Sequence, residues 1–139
     1  MNDIVEIEED NDDVPTPVGE LSLQTIAMPA DSNADGDIFG GWLVSQMDLA
    51  GAVTANRLAR GRVATVAIDS MVFLRPVAVG SVVSCYTTVK DIGRSSMTII
   101  VEVWARHHSD AEHRKVTEGQ FTFVAIDENR RTRPVPRTS

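Results

Sequence analysis

Only one cysteine, Cys85, occurs in the 139 residues, which excludes an internal disulfide framework and leads us to expect a reducing, cytoplasmic setting. Long apolar runs are missing too: no stretch approaches the roughly 20 residues of a bilayer-spanning helix, so a helical membrane protein is excluded. The opening MNDIVEIEED lacks the basic-then-apolar order of a secretory leader. There is no Walker loop, no GxGxxG turn and no GxSxG elbow, which removes the signatures of P-loop, dinucleotide-binding and serine-hydrolase sites. No segment repeats. What remains, 42% hydrophobic and 24% charged, suits one modest domain and not two.

Basic residues are absent from residues 1–20, which hold eight of the 20 acidic side chains. The net charge of −7 therefore belongs to a tail, because residues 21–139 carry 12 acidic and 13 basic groups. Rich in Asp, Glu, Asn and Pro, residues 1–19 cannot bury enough apolar surface to fold alone and are expected to be disordered. The end, RRTRPVPRTS, reads as a loose basic arm over 130–139. It has no aromatic side chain for base stacking, so nucleic acid is not the expected partner.

Between the tails, over 20–129, the periodicity changes twice. Residues 20–28 alternate, with Leu21, Leu23 and Thr25 on one face, and predict a short strand stopped by Pro29. A turn-rich stretch follows at 29–37. Residues 40–61 then place Leu43, Met47, Ala50, Thr54 and Leu58 at helical spacing, with Arg57 and Arg60 in the last turn and Gly61 as the stop. Four long β-branched strands are predicted from Arg62 onward, joined at 76–80, 91–93 and 107–113; joints this short imply antiparallel neighbours. The fold class is α+β, a curled sheet wrapped around one helix. Ser45, Ala50, Gly51, Ala52 and Ala55 let that helix lie close to the sheet, and its apolar breadth calls for an oligomer to cover it.

Several groups could carry chemistry. Asp31, Asn33, Asp35, Gly36 and Asp37 begin like a calcium loop, but the twelfth position, where a bidentate glutamate is needed, is Trp42. A turn held by Asx side chains is the better reading. Asp48 sits mid-helix beside Val44, Gly51, Ala52 and Ala55, where a carboxylate is either solvent-facing or employed. Gly40 and Gly41 leave backbone N–H groups at the positive end of the helix dipole, suited to a carbonyl oxygen that becomes negative. Seven residues, about 10 Å of helix, separate Gly41 from Asp48, so both can act on one carbonyl only if two subunits contribute. His107, His108 and His113 lie with Asp110 and Glu112 in a strand connection and read as a surface turn rather than a metal site. Cys85, Trp104, Phe121 and Phe123 read as packing. Residues 92–97, IGRSSM, form a hairpin turn whose cation and hydroxyls also suit phosphate.

Residues 29–52, PADSNADGDIFGGWLVSQMDLAGA, resemble the acyl-CoA thioesterases of the hotdog superfamily, the short single-domain bacterial type related to brain acyl-CoA hydrolase. Residues 61–83, 93–105 and 115–127 continue the likeness, which covers roughly 20–136. The resemblance implies a hotdog fold paired into a dimer and a trimer of dimers, hydrolysing acyl-CoA to acid and coenzyme A without metal or prosthetic group. It implies Asp48 as general base or nucleophile, Asn33 orienting water or thioester, and the Gly40 and Gly41 backbone polarising the carbonyl, with Asn33 and Gly40 from one protomer and Asp48 from the other. For coenzyme A it implies Val66, Ser70 and Met71 along the pantetheine arm, and Arg94, Ser95, Ser96, Arg62 and Arg75 towards the phosphates. Departures are Asp35, where Asn is common, and Gly119, where Ala is usual. A hotdog hydratase is the rival enzyme, though the helix lacks its histidine. A non-catalytic acyl-CoA-binding sensor is the rival of another class; it would be indifferent to loss of Asp48.

Overall fold

A computed structural model describes residues 15–137; most of the acidic tail and the last two residues lie outside that range. Five strands form one antiparallel sheet: β1 (Glu20–Ile26), β2 (Val63–Phe73), β3 (Val82–Ile92), β4 (Ser96–Arg106) and β5 (Arg114–Ala125). The single long helix, α1 (Gly40–Ala59), touches all five. Alternation along β4 and β5 sends Met97, Ile99, Val101 and Val103, then Phe121, Phe123 and Ala125, inward against Leu43, Met47, Ala50 and Ala55 of the helix. This is the curled-sheet-and-helix architecture expected of a hotdog.

The spatial strand order is β1-β3-β4-β5-β2, which corrects one sequence expectation. The β3–β4 and β4–β5 joints do link neighbours. The 76–80 joint does not: β2 pairs with β5, and the chain crosses to the far side of the sheet to begin β3. Loop length limits span but does not choose a partner; the apolar inner faces do. A second correction concerns Leu21. A bulge between Leu21 and Leu23 reverses the alternation, leaving Leu21 47% exposed. Ser22 turns inward instead, its hydroxyl 2.7 Å from that of Thr87 and 3.3 Å from that of Thr54.

Nor is the C-terminal arm loose. Val135 is buried and its N–H reaches Arg94 O at 2.8 Å; Arg133 N–H bonds Ala125 O at 2.9 Å. The Arg133 guanidinium donates to Ala59 O at 2.9 Å and to Ile126 O at 3.0 Å, satisfying a carbonyl of the last helical turn. Arg60, rather than Gly61, adopts the left-handed conformation that ends the helix, at φ 53°. Gly61 serves another purpose: a Cβ there would come within 2.7 Å of Arg133 Nη2. At the other end, residues 15–19 run onto the outer face of the sheet, where Val18 N–H and Trp104 Nε1–H both donate to the buried Glu102 carboxylate.

One face stays apolar and uncovered. Leu49 and Val53 on the helix, and Val66, Ile68, Val72, Phe73 and Leu74 on or just beyond edge strand β2, are each at least 44% exposed. A continuous exposed edge of this kind is a pairing surface.

Candidate active site

The site is assembled where α1 runs beside β2. Asp48, two turns into the helix, is half-buried, and its Oδ1 accepts the Thr65 hydroxyl of β2 at 2.6 Å. That bond fixes one carboxylate oxygen and leaves Oδ2 without a donor among the described residues. Asp48 is therefore neither freely solvated nor ion-paired. Thr65 was invisible in the sequence, one threonine among many in β-branched strands; only pairing geometry singles it out.

The loop before the helix presents its N-terminus. Ile38 N–H bonds Val77 O at 2.8 Å and Phe39 N–H bonds Asp31 O at 3.0 Å. The first amides bonded within α1 are those of Trp42 and Leu43, both to Phe39 O. Gly40 and Gly41 are exposed, and their N–H groups take no acceptor among the described residues. A Cβ on Gly41 would meet nothing within 4 Å, so ligand backbone or carbonyl can approach closely. Asn33 Oδ1 accepts the N–H groups of Asp35 at 2.9 Å and Asp37 at 3.1 Å, the Asx turn expected of this stretch. Only its amide N–H groups remain available to a ligand.

The coenzyme A candidates divide. Ile126 N–H bonds Arg62 O, Ala125 N–H bonds Ser95 O and Val135 N–H bonds Arg94 O, so Arg62, Arg94, Ser95 and Ser96 gather at one end of the sheet. Arg137, which donates to Gly93 O at 2.7 Å, joins them. Arg75 does not. It follows the opposite end of β2, whose 11 residues span roughly 30 Å or more, so within one protomer Arg62 and Arg75 cannot grip the same phosphate. Along β2, Val66 and Ser70 are exposed, whereas Met71 is half-buried against the core.

The remaining candidates resolve as packing or turns. His107 Nδ1 lies 2.8 Å from Ser109 Oγ, while His113 is drawn away to the Trp104 ring at 5.1 Å. Among the described residues no group of three or more His, Cys, Asp or Glu is placed to hold a metal. Burial pushes the Cys85 thiol up to about 12, which keeps it protonated and poorly nucleophilic.

Residues 35–112 match the thioesterase superfamily. The acyl-CoA thioester hydrolase YciA of Salmonella typhimurium is 52% identical over 124 residues, 87% of this chain and 93% of that one. The hexameric thioesterase of Yersinia pestis superposes with a TM-score of 0.85 at 52% identity, covering 88% of this chain and all of the other. An acyl-CoA hydrolase of Staphylococcus aureus, solved with coenzyme A, superposes with a TM-score of 0.77 at 29% identity, covering 82% of this chain and 68% of the other. Alanine variants of that hydrolase replace an asparagine and an aspartate fifteen residues apart, the separation of Asn33 and Asp48 here.

Proposed function

This chain belongs to the thioesterase superfamily, and from that premise we propose that it hydrolyses acyl-CoA thioesters to carboxylic acid and coenzyme A. The observation that carries the catalytic assignment is the Asp48 carboxylate, pinned through one oxygen to Thr65 with the other oxygen open. Asp48 takes a proton from water as its oxygen attacks the thioester carbon, or attacks that carbon itself. In either route the C–S bond breaks and the departing thiolate collects a proton; in the second, water then cleaves the acyl-aspartate anhydride, releasing the carboxylic acid and freeing Asp48. The developing oxyanion is met by the N–H groups of Gly40 and Gly41, reinforced by the helix dipole. Those donors lie about 10 Å along the helix from Asp48 of their own chain, so the working pair joins two protomers, with the Asn33 amide beside the donors.

Base and oxyanion donors all come from the chain, so the reaction as proposed uses no metal or prosthetic group. The uncovered β2 edge and the hexameric Yersinia relative support a hexamer, a trimer of dimers. The lone thiol supports a cytoplasmic setting. Among the described residues no helix is long and apolar enough to cross a membrane.

The test is release of coenzyme A thiol, followed with a disulfide reagent across short to long acyl-CoAs. Asp48→Ala is expected to lower turnover by about 100-fold or more while the oligomer stays folded. Wild-type activity in that variant rejects the assignment. Silence of the wild type across the panel, from folded oligomer, favours the acyl-CoA-binding sensor.

A further inference from the structure

Two glycines set how α1 meets the sheet, and they act in opposite ways. Gly51, on the helix, rests on the Phe123 ring, where a Cβ would come within 2.8 Å. Beneath that half of the helix the core is closed by a rigid aromatic. Gly119, on β5, faces inward on the other side of Asp48, beneath the N-terminal half. A Cβ there would lie 2.7 Å from Met71 Cε, 2.9 Å from its Sδ and 3.3 Å from Met47 Cε.

Met71 reaches this space because β2 is bulged. Asp69 pairs with Gln120 and Val72 with Glu118, so Ser70 and Met71 together oppose Gly119. Ser70 absorbs the distortion at φ 55°. A bulge re-aims a side chain: Ser70 and Val72 stay exposed while Met71 packs inward. The Thr117 hydroxyl, fully buried, bonds Val72 O and lies 3.7 Å from Met71 Sδ, holding the distortion in place.

The apolar space on this side of Asp48 is thus filled by two thioethers meeting over a missing side chain. Methionine is unbranched and swings between rotamers at little cost, unlike the buried phenylalanines and β-branched residues; the core's other methionine, Met97, pairs with Phe123 further along β5. Met71 is half-buried, so its swing opens the space outward along β2, its own strand and that of Thr65. An apolar chain attached to a carbonyl at Asp48 meets this deformable volume further along β2, on the Gly119 side.

We propose that Met71, seated over Gly119, is the movable end wall of the acyl-chain pocket, and that the missing Cβ at Gly119 sets how long an acyl chain is accepted. The proposal rests on the thioesterase reading above. The acyl chain enters between α1 and β2 by displacing Met71, while the thioester stays at Asp48.

The experiment is kcat/KM from acetyl-CoA to palmitoyl-CoA for wild type, Gly119→Ala and Met71→Ala, each checked for thermal unfolding and oligomer size. Gly119→Ala shortens the volume and is expected to lower the long-to-short ratio by about fourfold or more, the worth of one buried methylene. Met71→Ala lengthens it and moves the same ratio upward. General loosening of the core would move both variants the same way. Ratios within about twofold of wild type in folded protein overturn the proposal. If Gly119→Ala does not fold, Met71→Ala decides alone: a raised ratio supports the end wall and an unchanged one overturns it. Wild-type silence on every substrate overturns the thioesterase reading and the proposal with it, whereas turnover with unmoved ratios overturns only the latter.

Discussion

At Asp48 a single hydroxyl decides what the carboxylate can do. Thr65 fixes Oδ1 at 2.6 Å, and an oriented base transfers protons more effectively than a rotating one. Thr65→Val keeps the shape and deletes the donor; it is expected to lower kcat/KM by about tenfold, while Thr65→Ser restores most of it. A merely structural role for Thr65 predicts no rescue by serine. The oddity of Asp48 is legible in the sequence, because an aspartate among small apolar helix residues is anomalous; its hydrogen-bond partner is not, because threonine is ordinary in a strand. Cys85 gives a second residue-level expectation. Its thiol is pushed up to about 12 by burial, above the unfolded value of 9.0. The unfolded chain therefore loses its proton first, and the stability contributed by the buried thiol, complete below pH 9, drains away as pH rises towards 12. Native protein should not react with a disulfide reagent at pH 8, while urea-unfolded protein should release one equivalent.

Among the elements, the helix was the most legible, its end included to within two residues, and the side chain that closes that end the least. Period and small residues gave its face and its close seat on the sheet. The chain beyond Gly61 could not be seen to return and cap it, because a run of arginines carries no period. Arg133 spans the last turn of α1 and the strand end at Ile126. Arg133→Ala should cost roughly 1–2 kcal/mol, read as a drop of several degrees in Tm with turnover retained at low temperature. An unchanged Tm would show that water serves the Ala59 carbonyl as well. The β2–β3 crossing escaped notice for a related reason: alternation tells which face a residue takes, never which strand lies beside it. The Ser22 bulge likewise leaves no trace in a pattern that alternates smoothly through it.

For the whole molecule the consequential fact is the uncovered face of Leu49, Val53 and the β2 edge. A symmetric pair closing over it would place two equivalent sites, each drawing on both chains. Mixing inactive Asp48→Ala protein with inactive Asn33→Ala protein, after subunit exchange, should restore about a quarter of wild-type turnover, since half the dimers are mixed and each mixed dimer has one intact site. No recovery after proven exchange would mean that each chain completes its own site. Fold class and the need for an oligomer were readable beforehand because hydrophobic pattern reports burial; the distance along the helix already called for two chains at one site, and the mixing experiment tests which chain supplies which group.

The 10 Å between the helix N-terminus and Asp48 also has a genetic meaning. Two defects carried in cis, on one gene copy, spoil both sites of every mixed dimer and leave the healthy copy's product half wasted. The same two defects in trans, one per copy, leave one intact site in every mixed dimer, so both arrangements keep about a quarter of the sites, whereas a site complete within one chain would keep about half in cis and none in trans. A cis–trans test in living cells would thus read out the architecture of the site.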